Sequence, residues 1–204
     1  MVTTDPITLY GASGHARVII DIARACGRTV ATLVDDNPDR RELDGIAVVH
    51  SAEGLSPMII SIGLNNIRRR IVSRLAADAA TADIRFATLI HPSAVISPSA
   101  TIGCGTVIMA GAVVEAGAVI GDHCIINTGA TVNHECRIAD FVHISPGATL
   151  CGNVSVGTAT WVGAGATVIP GISIGDRTVI GAGATVVRDI PSDVTAVGTP
   201  ARIM

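Results

Sequence analysis

The 204-residue sequence predicts an α/β unit of half-Rossmann type (βαβαβ) followed by an all-β, left-handed parallel β-helix. Two observations carry this prediction. Short apolar strands alternate with helix-like stretches in the first half of the chain, and an unbroken six-residue repeat fills the second half. We expect an α/β domain over residues 1–88, the β-helix over 89–190, and a C-terminal cap over 191–204, where the repeat is lost.

The α/β unit is predicted from the order of its strands and turns. A glycine-containing loop follows the first strand, and the acidic pair Asp35 and Asp36 follows the second. This order indicates a parallel sheet whose ligand-facing loops lie at the carboxyl ends of the strands. The predicted elements are, in chain order, strand Ile7–Tyr10, helix Ala16–Cys26, strand Thr29–Val34, strand Met58–Ile62 and a helix near Asn66–Ala79.

The loop after the first strand is a candidate nucleotide site. Gly11 and Gly14 would let the backbone approach a phosphate at a helix N-terminus, and Asp35 could accept a hydrogen bond from a ribose hydroxyl. The dinucleotide fingerprint is incomplete, because serine and alanine stand at its second and third glycine positions. A single nucleotide or a nucleotide-sugar is therefore expected, with a ligand-free structural turn as the alternative. His15 is either a ligand contact or only a residue of the first helical turn.

The repeat in the second half is regular. Every sixth residue from Ile96 to Val186 is aliphatic, sixteen positions in succession, and most residues four places further on are small. A period of six fits neither a helix nor an alternating strand, but it suits short strands joined by turns, three to a coil of eighteen residues. Coils would stack about 4.8 Å apart with these side chains inward. The frame extends back to Ile90 and Ile84, and a β-sandwich with chance periodicity is the alternative.

Composition excludes several classes of function. The net charge is −3 and only four residues are aromatic, so no nucleic-acid footprint is expected. No apolar run approaches the roughly eighteen residues of a membrane span, and residues 1–10 lack the pattern of a signal peptide. The five cysteines contain no C-x-x-C pair, so we interpret them as small buried thiols in a reducing compartment. A cytoplasmic location is expected.

His134 is the candidate for catalysis within the repeat. It occupies a turn of its hexapeptide, and the residues eighteen places away are Ala116 and Gly152, so its ring would stand over an open groove beside Glu135. An adjacent carboxylate can orient a histidine and raise its basicity, although an exposed turn histidine without a role is the alternative. His143 lies half a coil away on another side of the prism. If both serve one site, a homotrimer must bring them together.

Three motifs in order resemble one family. They are G-A-S-G-H-A-R-V near the start, A-T-V-N-H-E-C in mid β-helix and V-G-T-P-A-R near the end. The chain resembles the NeuD/PglD-type sugar O- and N-acyltransferases over essentially its whole length. The resemblance implies acetyl-CoA as acyl donor, His134 as catalytic base, Glu135 as its partner and Asn127 near the acceptor amine. It implies nucleotide-sugar contacts at Gly11, Ser13, Gly14, His15, Asp35, Asp36, Gly63 and Asn65, and acetyl-CoA contacts near His143, Gly152, Ala164 and Ala182.

The expected activity is direct acetyl transfer to the 4-amino group of a UDP- or GDP-linked amino-dideoxy sugar, without a metal. Acetylation of a sugar hydroxyl, as on sialic acid, and a non-catalytic nucleotide-sugar-binding scaffold are the alternatives. A further alternative resembles γ-class carbonic anhydrases, in which three histidines converge on zinc between subunits. Its candidates here are His123, His134 and His143, although the close histidine pair of that class is missing and His123 is expected at a surface or interface.

Overall fold

The computed structural model describes residues 6–204; residues 1–5, half of the stretch searched for a signal peptide, lie outside this range. The N-terminal unit is a five-stranded sheet in the order β3-β4-β2-β1-β5, parallel except for β3. Its elements are Ile7–Tyr10 (β1), Gly14–Ala25 (α1), Val30–Val34 (β2), Glu42–Leu43 (β3), Ile46–Val49 (β4), Met58–Ile60 (β5) and Asn65–Ala77 (α2).

The half-Rossmann prediction is confirmed, with one difference in its connections. Between β2 and β5 the chain forms the short hairpin β3-β4, which adds β4 to the sheet beside β2. Sequence analysis assigned no element there, because a two-residue strand followed by the left-handed turn Asp44-Gly45 carries little periodicity. The helices cover opposite faces of the sheet: α1 packs on the side of Leu9 and Leu33, and α2 on the side of Tyr10.

The second unit is a parallel β-helix of very short strands. They form three sheets, which we call the first face (β6, β9, β12, β15, β18, β21, β23, β24), the second face (β7, β10, β13, β16, β19, β22) and the third face (β8, β11, β14, β17, β20). The strands are Leu89–Ile90 (β6), Val95–Ile96 (β7), Thr101–Ile102 (β8), Val107–Ile108 (β9), Val113–Val114 (β10), Val119–Ile120 (β11), Ile125–Ile126 (β12), Thr131–Val132 (β13), Arg137–Ile138 (β14), His143–Ile144 (β15), Thr149–Leu150 (β16), Ser155–Val156 (β17), Trp161–Val162 (β18), Thr167–Val168 (β19), Ser173–Ile174 (β20), Val179–Ile180 (β21), Thr185–Val186 (β22), Thr195–Val197 (β23) and Arg202–Ile203 (β24).

The predicted coil of eighteen residues is confirmed by the strand register. Val114 pairs with Val132, and Val132 pairs with Leu150. The aliphatic positions are buried from Ile108 to Val186, as expected for inward side chains. The six-residue pattern does not predict burial at the first strand of the β-helix, because no earlier coil packs on that strand. There Ile90 is exposed, while Leu89 is buried against the N-terminal unit.

The interpretation of all five cysteines as buried thiols is wrong. Cys124 and Cys136 are buried at inward positions, but Cys104 is exposed, and Cys26 and Cys151 are partly exposed. Cys104 and Cys151 lie one or two residues after an inward aliphatic residue, where the chain turns outward and a side chain meets solvent.

The two units share a continuous apolar core. Outward side chains of the first face, including Val107, Met109 and Ile125, pack into the cluster formed by β1, β2 and α1. At the other end, β23 continues the first face and β24 pairs with it in antiparallel fashion, closing that sheet. Neither helix within residues 6–204 has the length and apolar character needed to cross a membrane.

Candidate active site

A cleft of about 360 Å³ opens where the carboxyl ends of β1 and β5 meet the first face of the β-helix. The loop after β1 forms one wall, the loop between β5 and α2 forms another, and strands β15 and β18 form the floor. Its lining residues are Ser13, Ile62, Gly63, Leu64, Ile67, His143 and Trp161. Three of these, Ser13, Gly63 and His143, are predicted site residues.

The glycine loop presents an open helix N-terminus to this region. Ser13 begins α1 without a side-chain capping hydrogen bond, and the space around a Cβ on Gly14 would be empty within 4 Å. A helix N-terminus of this kind favours an anionic group. Gly11 has a different role, because its φ is +114° and a Cβ there would lie 2.5 Å from Ile62 Cδ1. That glycine allows the loop to pack closely on the end of β5.

The two aspartates after β2 are held by their surroundings. Asp35 Oδ2 accepts a hydrogen bond from the Ala12 amide at 2.8 Å, which ties the acid to the glycine loop. Asp36 Oδ1 accepts from the Tyr10 hydroxyl at 2.6 Å and from Arg74 at 2.9 Å. Although burial opposes it, these hydrogen bonds hold the pKa of the Asp36 carboxyl below its usual value. Both side chains lie at the carboxyl edge of the sheet, where a substrate hydroxyl or amide could approach them.

His143 is fixed in orientation on the cleft floor. Its Nδ1 lies 3.2 Å from the Gly63 carbonyl oxygen, and its Nε2 lies 3.0 Å from the Asn127 amide nitrogen. A carbonyl oxygen only accepts hydrogen bonds, so Nδ1 carries the proton and Nε2 accepts from Asn127. The ring also stacks on Trp161 with 5.3 Å between centroids.

Burial keeps the histidines around the cleft neutral. Burial, together with the nearby Arg68 charge, lowers the pKa of His143 to about 4. The pKa of His15 is lowered to about 4 by the same two causes. His15 Nε2 is buried without a hydrogen-bond partner among residues 6–204. This nitrogen, near the N-terminus of α1, could therefore form a hydrogen bond with a ligand. His123 is buried rather than at a surface, between the rings of Phe86 and Phe141.

His134 projects from the corner between the second and third faces, as predicted. Its side chain is 63% exposed, and its Nδ1 lies 3.5 Å from Glu135 Oε2. A Cβ on Gly152 would lie 2.4 Å from His134 Nε2, so the ring rests directly over that glycine on the next coil. Glu135 has a φ of +60° in the same turn and contacts the position above Gly117. Glu135 thus faces Nδ1, and Nε2 is the ring nitrogen that lies over Gly152.

The predicted site residues fall into separate groups within one chain. Asn127 lies with His143 beside the cleft, while His134 and Gly152 lie at the opposite corner of the prism. Ala164 and Ala182 are exposed at the corner that follows the first face, where the Gly183 amide donates to the Ala164 carbonyl. Asn65 is buried, and its amide donates to the Ala159 and Thr160 carbonyls instead of facing the cleft.

Trp161 and Arg68 contribute to the cleft and its surroundings but are not among the residues predicted from the sequence. Trp161 lies eighteen residues after His143, so the coil arithmetic places it on the next strand of the same face. Arg68 is 1% exposed, although it stands in a run of three arginines. The feature of the sequence that indicates burial of Arg68 is its helical spacing, since it lies three and seven residues before the buried Ile71 and Leu75.

Residues 6–204 contain no group of three histidine, cysteine or acidic side chains that could hold a metal ion. The alternative that resembles carbonic anhydrase requires three histidines to converge. Within the chain, however, His123 is enclosed by phenylalanines and His134 and His143 lie on different sides of the prism.

Comparison with known proteins agrees with the order of the two units along the chain. A model of the PglD N-terminal domain matches residues 6–75, and a model of the bacterial transferase hexapeptide (six repeats) matches residues 99–134 and 153–188. Perosamine N-acetyltransferase from Caulobacter crescentus, solved as a histidine-to-asparagine variant with CoA and GDP-perosamine, is 43% identical. The match covers 98% of this chain and 96% of that one, with a TM-score of 0.91.

Two further structures show the same likeness. The acetyltransferase domain of PglB from Neisseria gonorrhoeae, in complex with acetyl coenzyme A, is 37% identical over 99% of this chain and 100% of that one, with a TM-score of 0.88. WeeI from Acinetobacter baumannii is 27% identical over 98% of this chain and 100% of that one, also with a TM-score of 0.88. The chain belongs to the NeuD/PglD-type family of hexapeptide-repeat sugar acyltransferases.

Proposed function

We propose that the protein transfers an acetyl group from acetyl-CoA to the 4-amino group of a UDP- or GDP-linked amino-dideoxy sugar. The observation that carries the proposal is the exposed His134 ring, held over Gly152 with Glu135 at 3.5 Å from Nδ1. A base in this setting has one nitrogen oriented by a carboxylate and the other open to a substrate. The relatives solved with CoA, GDP-perosamine or acetyl coenzyme A support this choice of substrates.

The proposed reaction is a direct transfer. The sugar amine attacks the thioester carbonyl while His134 Nε2 removes the amine proton, and the C–S bond then breaks to release CoA. Backbone N–H groups would stabilise the oxyanion of the tetrahedral intermediate. No acyl-enzyme is required, because Cys136, the cysteine nearest to His134 in sequence, is buried at an inward position. Binding of CoA and GDP-perosamine together in the Caulobacter enzyme supports transfer within a ternary complex.

The proposed site is shared between copies of the chain. The cleft with Ser13, Gly63 and His143 opens on the first face, while His134 lies at the corner between the other two faces. One chain therefore cannot bring its own His134 to its own cleft. A homotrimer with the threefold axis along the prism would place His134 of one chain beside the cleft of its neighbour. Ala164 and Ala182, stacked at an exposed corner, would line the groove for acetyl-CoA between the chains.

The test is thiol release from acetyl-CoA with a panel of UDP- and GDP-linked amino sugars. Turnover with a 4-amino-4,6-dideoxy sugar supports the proposal and identifies the nucleotide. Acetylation only of sugar hydroxyls would favour the O-acetyltransferase alternative. Binding without turnover across the whole panel would favour the scaffold.

His134→Ala is expected to lower kcat by about 10²–10⁴, the usual contribution of a general base. The ring is mostly exposed and packs over a glycine, so the melting temperature should change little. The rate is measured with the best substrate of the panel, and circular dichroism verifies the fold. A correctly folded variant with full activity would remove His134 from the mechanism.

A further inference from the structure

Arg68 of α2 is a buried cation that has no carboxylate partner among residues 6–204. Its side chain is 1% exposed, and its hydrogen bonds all go to carbonyl or amide oxygens. Nε donates to His123 O at 2.7 Å, Nη1 to Ile62 O at 2.9 Å and Gly63 O at 3.2 Å, and Nη2 to Phe141 O at 2.8 Å and Asn65 Oδ1 at 2.9 Å. Burying a charge is costly unless hydrogen bonds compensate it, so five donors in a rigid fork are well matched to this place.

The acceptors belong to both units of the molecule. Ile62 and Gly63 form the wall of the cleft, whereas His123 and Phe141 are left-handed turn residues on successive coils of the β-helix. Asn65 extends the same contact by one coil, since its amide donates to the Ala159 and Thr160 carbonyls. The start of α2 is therefore fastened to three consecutive coils.

One of these acceptors is shared with the cleft floor. The Gly63 carbonyl accepts from Arg68 Nη1 at 3.2 Å and lies 3.2 Å from His143 Nδ1. His143 Nε2 in turn faces the Asn127 amide, whose Oδ1 accepts from the Thr128 backbone at 2.8 Å. A continuous chain of oriented groups thus runs from Arg68 through Gly63 and His143 to Asn127.

We propose that Arg68 is a positioning residue for acetyl transfer, setting the Ile62–Gly63 wall and the His143 ring relative to the β-helix. This inference rests on the proposed function. The wall belongs to the predicted nucleotide-sugar site and the β-helix carries the predicted acetyl-CoA groove. Arg68 therefore sets the separation of the two reactants without contacting either, and an error of about 1 Å in such a separation can cost about 100-fold in rate.

The first experiment needs no variant. Long-range ¹H–¹⁵N spectra of the ¹⁵N-histidine-labelled protein, with His143 assigned from a His143→Gln sample, report the protonated nitrogen. The structure requires the Nδ1–H form, held by Gly63. The charged and titratable groups nearest to the ring are Arg68 and His15. An Nε2–H form in the wild-type protein would break the chain of contacts and overturn the inference.

The second experiment replaces the guanidinium group of Arg68. Arg68→Lys keeps the positive charge, but a single ammonium group cannot reach all five acceptor oxygens. Arg68→Gln keeps two N–H donors and removes the charge, so no buried cation is left with too few hydrogen bonds. In whichever variant retains a cooperative melting transition, we expect kcat to fall about 10- to 100-fold, KM for both substrates to change less than about threefold, and His143 to lose the pure Nδ1–H form. Arg24→Lys, at an exposed arginine of α1, is the matched control.

The outcomes separate this inference from the proposed function. A wild-type protein without turnover on any panel substrate would count against the proposed function, whereas the His143 spectra are read without substrate. A kcat within about twofold of wild type in a folded Arg68 variant would overturn the positioning role. A fall in kcat with an unchanged His143 spectrum would overturn the route through Gly63. If neither variant folds, the wild-type spectrum decides: the Nδ1–H form supports the route through Gly63, and the Nε2–H form overturns it.

Discussion

At the scale of single residues, the site depends on positions where a side chain is absent. Gly152 is buried beneath the His134 ring, and Gly11 lies against the end of β5. In a stack with about 4.8 Å between coils, a ring can lie over the next coil only if that coil leaves room. The position of His134, the candidate base, therefore depends on Gly152, a residue eighteen places further on that has no side chain.

Gly152→Ala tests this dependence. The backbone at Gly152 is not in the left-handed region, but the added Cβ would lie 2.4 Å from His134 Nε2 and must displace the ring. Because that ring is 63% exposed, it can move toward solvent at little cost in stability. We expect kcat to fall about 10- to 100-fold with a nearly unchanged melting temperature. Wild-type kcat in this variant would show that the position of the ring over Gly152 is unimportant.

At the scale of elements, buried neutral histidines lie where the two units meet. His123 and His143 are 5% and 7% exposed, and both pack between elements of the α/β unit and turns or strands of the β-helix. Burial lowers the pKa of each to about 4. An ordinary histidine in the unfolded chain takes up its proton near pH 6.5. The contact between the units is therefore sensitive to pH.

The free energy of unfolding should fall as pH is lowered from about 6.5 to about 4. In that window the unfolded chain binds protons that the folded protein does not, so stability rises with pH there and becomes independent of these groups above it. Each of the two rings contributes on the order of 3 kcal/mol over the window, because one unit of pKa difference corresponds to about 1.4 kcal/mol. Urea titrations at several pH values measure the slope.

His123→Phe provides the matched variant. Phenylalanine fills the space between Phe86 and Phe141 and removes the His123 Nδ1 atom, which is buried without a hydrogen-bond partner among residues 6–204. With His15 counted as a third neutral histidine, the slope should decrease by about a third. The same change at the exposed His50 is the control. An unchanged slope would contradict a neutral, buried His123.

The sequence predicts the helices, strands and coils better than it predicts the contacts between the two units. The eighteen-residue coil predicts which residues stack, including Gly152 under His134 and Trp161 next to His143. It does not predict which of three successive arginines is buried, because that depends on how α2 meets turns 55 and 73 residues further along the chain. The apolar outward residues Val107 and Ile125 were a visible sign that the first face is covered, but not of what covers it.

At the scale of the whole molecule, the proposed function places the cleft and His134 of one site on different chains. The cleft and His134 lie on different sides of the prism, so activity should belong to the oligomer. Light scattering is expected to give about three times the chain mass of 20.7 kDa.

Mixed oligomers test the sharing of the site directly. His134→Ala removes the proposed base, and Ser13→Trp fills the cleft with an indole. The two variants are co-expressed with different tags and purified through both tags. In every mixed trimer, one intact cleft then faces an intact His134 of the neighbouring chain, and the other two sites each lack at least one of these parts. We expect each variant alone to be nearly inactive and the mixed trimers to show about a third of wild-type activity. Mixed trimers as inactive as either parent would mean that each chain forms its own site.

The stack of Trp161 on His143 has an optical consequence. Trp161 is the single tryptophan of the chain, it lines the cleft, and its Nε1 donates to Ser145 at 2.6 Å. Emission excited at the red edge of the indole band, where Tyr10, the single tyrosine of the chain, does not absorb, therefore originates from the cleft floor. Occupancy of the cleft can be followed in the unmodified protein, at equilibrium or in a stopped-flow instrument, with no label attached to either substrate.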